Sequence, residues 1–83
     1  MKFQVNYIRE DGWQGSISRT ENWEHETKDE FFEKIYRENC RLQKAFHGNR
    51  ASYEPTDYDL QDEYDEWWLN TPEDKKNSIM LTA

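Results

Sequence analysis

The sequence predicts an α+β fold: an N-terminal antiparallel β-hairpin packed against two main α-helices, followed by a short helical turn and a C-terminal strand. Apolar and polar residues alternate on both sides of a turn near the N-terminus, a capping signal opens a long amphipathic segment, and a second amphipathic segment follows Pro55. A chain of 83 residues can form one hydrophobic core but is too short for two, so we expect a single domain over residues 1–83.

Aromatic residues are what make a folded core possible in this polar chain. Its mean hydropathy is −1.34 and 35% of its residues are charged, which is typical of disorder. Aromatic residues nevertheless make up 16% of the chain, and each ring can bury about 150–250 Å². We therefore expect a folded protein of modest stability.

The hairpin is predicted from alternation over residues 3–7 and 13–17, on either side of Gly12. A two-residue turn would mix apolar and polar residues on each face. A three-residue loop places Val5 opposite Ile17 and gives one apolar face. We therefore expect a bulged three-residue loop with Gly12 in the left-handed conformation.

The first helix is predicted to begin at Lys28, because Thr27 and Glu30 have the spacing of a capping box, and to end near His47. Four apolar residues project within about 60° of one another and should pack on the hairpin, with Phe32 and Asn39 at the border of this stripe: Phe31, Ile35, Leu42 and Phe46. Cys40 projects away from that face, so we expect it to be a surface thiol.

The segment from Asn49 to Pro55 can be interpreted as an irregular connection or as one containing a short edge strand around Ser52 and Tyr53. A second helix is predicted from Asp57 to about Leu69, capped by Thr56. Its apolar stripe has helical spacing: Leu60, Tyr64, Trp67 and Trp68.

After the second helix, Thr71 and Pro72 resemble the cap and first position of one further helical turn, which should end before Asn77. The segment Ser78–Thr82 is then predicted to be the last strand.

Negative charge is concentrated in one segment of the chain. The formal net charge is −7, yet Met1–Arg50 carries nine acidic and nine basic residues, whereas Ala51–Asp74 carries nine acidic residues and no lysine or arginine. Four acids of the second helix lie within about 100° of arc, on a face distinct from the apolar stripe: Asp59, Asp62, Glu63 and Glu66. This row is either a solvated face that keeps the protein soluble or a binding surface for a partner with a basic surface.

Adjacent helix positions are 100° apart, so Trp67 and Trp68 cannot both face the middle of a small core. Either both rings pack at the border of the core, or one anchors a protein interface. The predicted partner-binding residues are the row of acids with a neighbouring acid and this ring: Asp59, Asp62, Glu63, Asp65, Glu66 and Trp68.

Motifs for catalysis, cofactors and metals are not found in the sequence, so we expect a protein that is not an enzyme and binds no cofactor or metal. The acids lack the spacing of a calcium loop, and His25 and His47 lie at opposite ends of a helix. A single cysteine excludes an intramolecular disulfide.

The basic residues of the first helix stand beside glutamates at i, i+4 distances, which argues against direct nucleic-acid binding. No apolar run approaches the roughly 20 residues that span a bilayer. We therefore expect no membrane association and a cytoplasmic location, in the host cytoplasm if the protein is phage-encoded. The oligomeric state is left open.

In size, acidity and aromatic content the chain resembles the small inhibitors that phages and mobile elements make against host nucleic-acid-processing proteins, including DNA mimics and anti-CRISPR proteins. This resemblance implies a non-catalytic inhibitor that occupies the basic nucleic-acid-binding surface of a host protein. The alternative is an adaptor or structural subunit that assembles through Trp67, Trp68 and the hairpin edge.

Overall fold

The computed structural model describes residues 1–10, 15–46 and 50–83. The elements in chain order are β1 (Lys2–Glu10), β2 (Ser16–Glu24), α1 (Lys28–Ala45), β3 (Arg50–Pro55), α2 (Tyr58–Asn70) and α3 (Glu73–Thr82). The strands form an antiparallel sheet in the order β2-β1-β3. The predicted α+β class is confirmed. The sheet has a third strand, β3, and the last helix, α3, is longer than the predicted single turn.

The hairpin is present, but its predicted register is wrong. Val5 lies opposite Glu21, and Ile17 lies opposite Arg9. The pairing is displaced by four residues, and because side chains alternate with a period of two, each one keeps its predicted face. The turn predicted at Gly12 lies outside the described residues.

The observed register brings Trp23 into the core. It lies opposite Phe3 at the end of the hairpin, and its ring centroid is 6.1 Å from that of Phe31 and 4.9 Å from that of Tyr53. Phe3 stacks on Phe31 at 4.2 Å. Neither a two-residue turn nor a three-residue loop at Gly12 could form this aromatic cluster, because both place Phe3 opposite a residue that precedes Trp23.

α1 begins at Lys28 as predicted, with the Glu30 backbone N–H donating to Thr27 Oγ1 at 3.2 Å. Phe31 and Ile35 are fully buried and belong to the same core cluster as Val5. These contacts confirm the predicted packing of this helix on the hairpin.

The prediction that Cys40 is a surface thiol is wrong, since it is only 6% exposed. α2 covers a second side of α1, where Phe32 contacts Tyr64 and Trp67 with ring centroids 5.8 and 6.2 Å away. α3 also contacts α1. The buried surface of α1 therefore extends beyond the one stripe that packs on the sheet.

The edge-strand interpretation of the segment before Pro55 is correct, because β3 pairs with β1.

The predicted cap of the next helix is displaced by one residue. Asp57, not Thr56, caps α2, accepting a hydrogen bond from the Asp59 backbone N–H at 2.8 Å. Thr56 instead donates its hydroxyl to the Gln4 carbonyl at 2.8 Å.

The prediction of a C-terminal strand over Ser78–Thr82 is wrong, because these residues continue α3. Lys76 and Ile79, one helical turn apart, are 6% and 3% exposed. Residues three apart lie on the same face of a helix, so burying this pair stabilises a helix here. The predicted short turn is therefore a helix of ten residues. None of the helices described here is long and apolar enough to cross a bilayer.

Candidate functional site

All the predicted binding residues lie on α2, and the acids among them project away from the core. Five of them form what we call the acidic face of α2: Asp59, Asp62, Glu63, Asp65 and Glu66. All are exposed except Glu63, which is partly buried. The opposite stripe of the helix packs against the core cluster through Leu60, Tyr64 and Trp67. The two faces separate because core packing fixes the rotation of the helix about its axis.

One acid of this face forms an ion pair with a base from outside the helix. Lys28, in the first turn of α1, donates to both carboxylate oxygens of Glu63 at 3.1 and 3.0 Å. In the described part of the chain, no ion pair is made by the other four acids of the face. The contribution of Lys28 could not be predicted from helical periodicity, because it lies 35 residues from its partner.

The two tryptophans occupy different environments, as their 100° separation predicts. Trp67 is partly buried, with its ring centroid 5.9 Å from that of Tyr64. Trp68 is 39% exposed, and the Lys76 ammonium lies 3.8 Å from its ring centroid. Lys76 in turn pairs with Glu73 at 3.0 Å. One face of the Trp68 ring is therefore already in contact with a cation of α3.

Two exposed apolar side chains lie in line with the acids. Tyr58 is 80% exposed and Leu69 is 74% exposed. At 100° per residue, these two side chains project within about 60° of arc together with Asp62 and Asp65. The row runs for about 16 Å along the helix, with an apolar side chain at each end. Tyr58 and Leu69 were not among the predicted binding residues, although the i, i+4, i+7, i+11 spacing of this row is visible in the sequence.

An open groove of 470 Å³ borders the acidic face, between the first turn of α1 and the junction of α2 with α3. Its lining includes both partners of the Lys28–Glu63 ion pair, together with Glu66 and Lys75. The described residues contain no group of three or more histidine, cysteine, aspartate or glutamate side chains placed to hold a metal ion.

Tyr64 is the titratable group most affected by its surroundings. It lies on the side of α2 that packs against the core cluster, and burial raises the pKa of its phenol well above the ordinary value of 10.0. The nearby Asp65 carboxylate acts in the same direction. Tyr64 is therefore a neutral core residue at physiological pH and adds no charge to the acidic face.

The fold and this site together define an α+β protein that exposes one acidic helix face. Comparison with protein-family models, with curated proteins and with solved structures finds no match to the chain.

Proposed function

We propose that the protein is a non-catalytic inhibitor whose acidic face on α2 occupies a basic nucleic-acid-binding groove of another protein. A row of carboxylates can take the place of nucleic-acid phosphates on the lysine and arginine side chains of such a groove. The partner class is therefore a protein that binds DNA or RNA.

The observation that carries this proposal is the charge left unpaired on α2. Asp62 and Glu66 are like charges at i, i+4, an arrangement that costs a helix about 0.2–0.5 kcal/mol. Neither acid is relieved by an ion pair within the described residues. An arrangement that weakens the isolated protein supports a role in binding.

Tyr58 and Leu69 support a protein partner over a purely solubilising role. A face that serves only solubility has no need of exposed apolar side chains at both ends. An interface gains from such side chains, because they bury apolar area while the charges between them steer the encounter.

The position of the acids also favours binding over catalysis. General acid–base chemistry needs carboxylates within reach of a bound substrate, usually in a cleft. Four of the five acids lie on the exposed side of a helix. This supports the proposal that the protein is not an enzyme.

The alternative role, assembly through the tryptophans, retains Trp68, because Trp67 is engaged with the core. The two roles differ in their response to mutation. Trp68→Ala should weaken binding most if the aromatic surface is the interface. Charge reversal on α2 should weaken it most if the acidic face is.

The test is affinity capture from a bacterial lysate at low and raised salt, using the natural protein and a variant with Asp59, Asp62 and Glu66 changed to lysine. We expect a nucleic-acid-binding protein to be captured at low salt, released at high salt and missed by the variant. The captured protein, once purified, should lose its nucleic acid when the natural chain is added.

A matched control changes three acids outside the Ala51–Asp74 segment to lysine, namely Glu10, Glu24 and Glu26, which are all exposed. It alters the net charge by the same amount and should still capture the partner. Capture by the α2 variant equal to that by the natural protein would falsify the proposal.

A further inference from the structure

β2 is an edge strand whose outward hydrogen-bonding groups can be assigned. Met1 N donates to His25 O at 2.9 Å, and His25 N donates to Met1 O at 3.0 Å, directly beyond the end of the β1–β2 ladder. Bonded and non-bonded pairs alternate along an antiparallel ladder, so the odd-numbered residues of β2 bond to β1. The even-numbered residues therefore present their N–H and C=O groups to the open edge.

The opposite edge of the sheet is closed by side chains. On β3, the outward backbone groups of Tyr53 both bond to the Asn39 amide of α1, at 2.6 and 3.1 Å. The Gln61 amide of α2 donates to the Pro55 carbonyl at 2.8 Å. Among the described residues, no strand or helix covers the edge of β2, which is nine residues long. Natural sheets rarely leave such an edge open without a device that protects it.

We propose that this edge binds the same edge of a second copy of the chain, antiparallel, with the two Thr20 residues opposite each other across a two-fold axis. The occupant is argued from charge complementarity within β2. In this register Arg19 of each copy lies opposite Glu21 of the other, and Ile17 lies opposite Trp23. The result is a continuous six-stranded sheet.

The neighbouring registers are disfavoured by charge. Outward groups lie only on even-numbered residues, so the register can move only by two residues. One such shift sets Arg19 opposite Arg19, and the other sets Glu21 opposite Glu21. Like charges directly opposite each other destabilise a sheet. The Thr20-centred register pairs opposite charges and also uses the full length of the strand.

Three of the side chains that this pairing needs, those of Arg19, Glu21 and Ile17, are exposed or partly exposed. Arg19 is 61% exposed at its side chain and Glu21 is 32% exposed, and within one chain they already form an ion pair at 3.2 Å. The apolar Ile17 is 48% exposed and gains cover from Trp23 of the second copy. α1 hydrogen-bonds to β3, at the opposite edge of the sheet. The acidic face of α2 takes no part, so this inference does not depend on the proposed function.

The test is sedimentation equilibrium of the full chain over a range of concentrations, in salt high enough to screen the net charge of −7. At about 0.15 M ionic strength, where charges in direct contact still interact, we expect the natural protein to approach twice its chain mass of 10.2 kDa. Arg19→Glu sets two acids opposite each other and should raise the dissociation constant of the dimer by about tenfold or more. The double variant R19E/E21R restores opposite pairs and should restore the dimer.

A second variant tests the interface without disturbing the fold of the single chain. Ser18→Pro removes an N–H that points to the open edge, so the ladder to β1 stays intact and the variant should be a folded monomer by circular dichroism and sedimentation. The proposal is overturned if the natural protein stays monomeric at every concentration. It is equally overturned if Ser18→Pro dimerises like the natural chain, or if the charge swap fails to restore what Arg19→Glu removes.

Discussion

Asn39 joins the first helix to the sheet through a single amide group. Its side chain accepts from the Tyr53 N–H and donates to the Tyr53 carbonyl, so it occupies the place of a further strand at the edge of β3. A polar residue at the border of an apolar helical stripe is easily interpreted as partly solvated. Here it satisfies two backbone groups that would otherwise be left without partners.

Asn39→Ala is expected to lower the free energy of unfolding by about 1–3 kcal/mol, because it leaves a partly buried N–H and C=O unsatisfied. Urea denaturation of the purified natural and variant proteins measures this change in the free energy of unfolding. Gln43→Ala, an exposed change on the same helix, is the control and should stay within about 0.5 kcal/mol of the natural protein. Equal effects of the two changes would show that the amide bridge adds nothing.

The phenol of Tyr64 makes stability depend on alkaline pH. Its folded-state pKa is raised above the ordinary value of 10.0 by burial, so folding favours the protonated form. This contribution is fully present below pH 10.0 and is lost as the pH rises above it. Tyr64→Phe should therefore give a shallower loss of stability at alkaline pH, as measured by urea midpoints from about pH 9 to pH 11. A loss as steep as that of the natural protein would contradict this assignment.

At the scale of elements, α3 shows how a short segment acquires its secondary structure from packing. Ile79 is buried, whereas the neighbouring Leu81 is 82% exposed. A strand would place both on one face, because they are two positions apart. A helix separates them by about 200°, so that only Ile79 reaches the core. Lys44 of α1 also donates to the carbonyls of Met80 and Ala83, at 2.9 and 3.2 Å, which fixes the end of the helix.

Ile79→Ala is expected to lower the free energy of unfolding by about 2–5 kcal/mol, the usual cost of emptying a fully buried aliphatic site. Leu81→Ala, on the exposed side of the same helix, should change it by less than about 0.5 kcal/mol. Guanidinium denaturation of both variants tests this pair. A larger effect at Leu81 than at Ile79 would be inconsistent with α3 as described.

At the scale of the whole molecule, charge is distributed unevenly around the core. The segment Ala51–Asp74 carries nine acids without a base, and α2 exposes most of the acids that it contributes. Repulsion among these acids opposes folding at low ionic strength and is screened when salt is added. The same charges can drive association with a basic partner.

Added sodium chloride is therefore expected to raise the thermal midpoint of the natural protein. The variant with Asp59, Asp62 and Glu66 changed to lysine should show a smaller rise, because less repulsion remains to be screened. Thermal melts by circular dichroism at several salt concentrations provide the comparison. An equal rise in both proteins would place the repulsion elsewhere in the molecule.

The candidate site was partly predictable. The acids of α2 follow from helical periodicity alone, since position on a regular helix fixes direction. Which of them is paired with a base does not follow, because Lys28 reaches Glu63 from another helix. How much of the Trp68 ring a partner can contact was likewise not predictable, because Lys76 of α3 covers one of its faces.

The α+β class, the start of α1 at Lys28 and the shared face of Val5, Tyr7 and Ile17 could all be predicted from the sequence. These features depend on capping chemistry and periodicity, which act within a few residues. The hairpin register depends on tertiary packing, because pairings that differ by four residues preserve the same faces and the observed one brings Trp23 into contact with Phe31 and Tyr53. It also buried Cys40 and made Ser78–Thr82 helical, because both outcomes depend on what packs against α1 from distant parts of the chain.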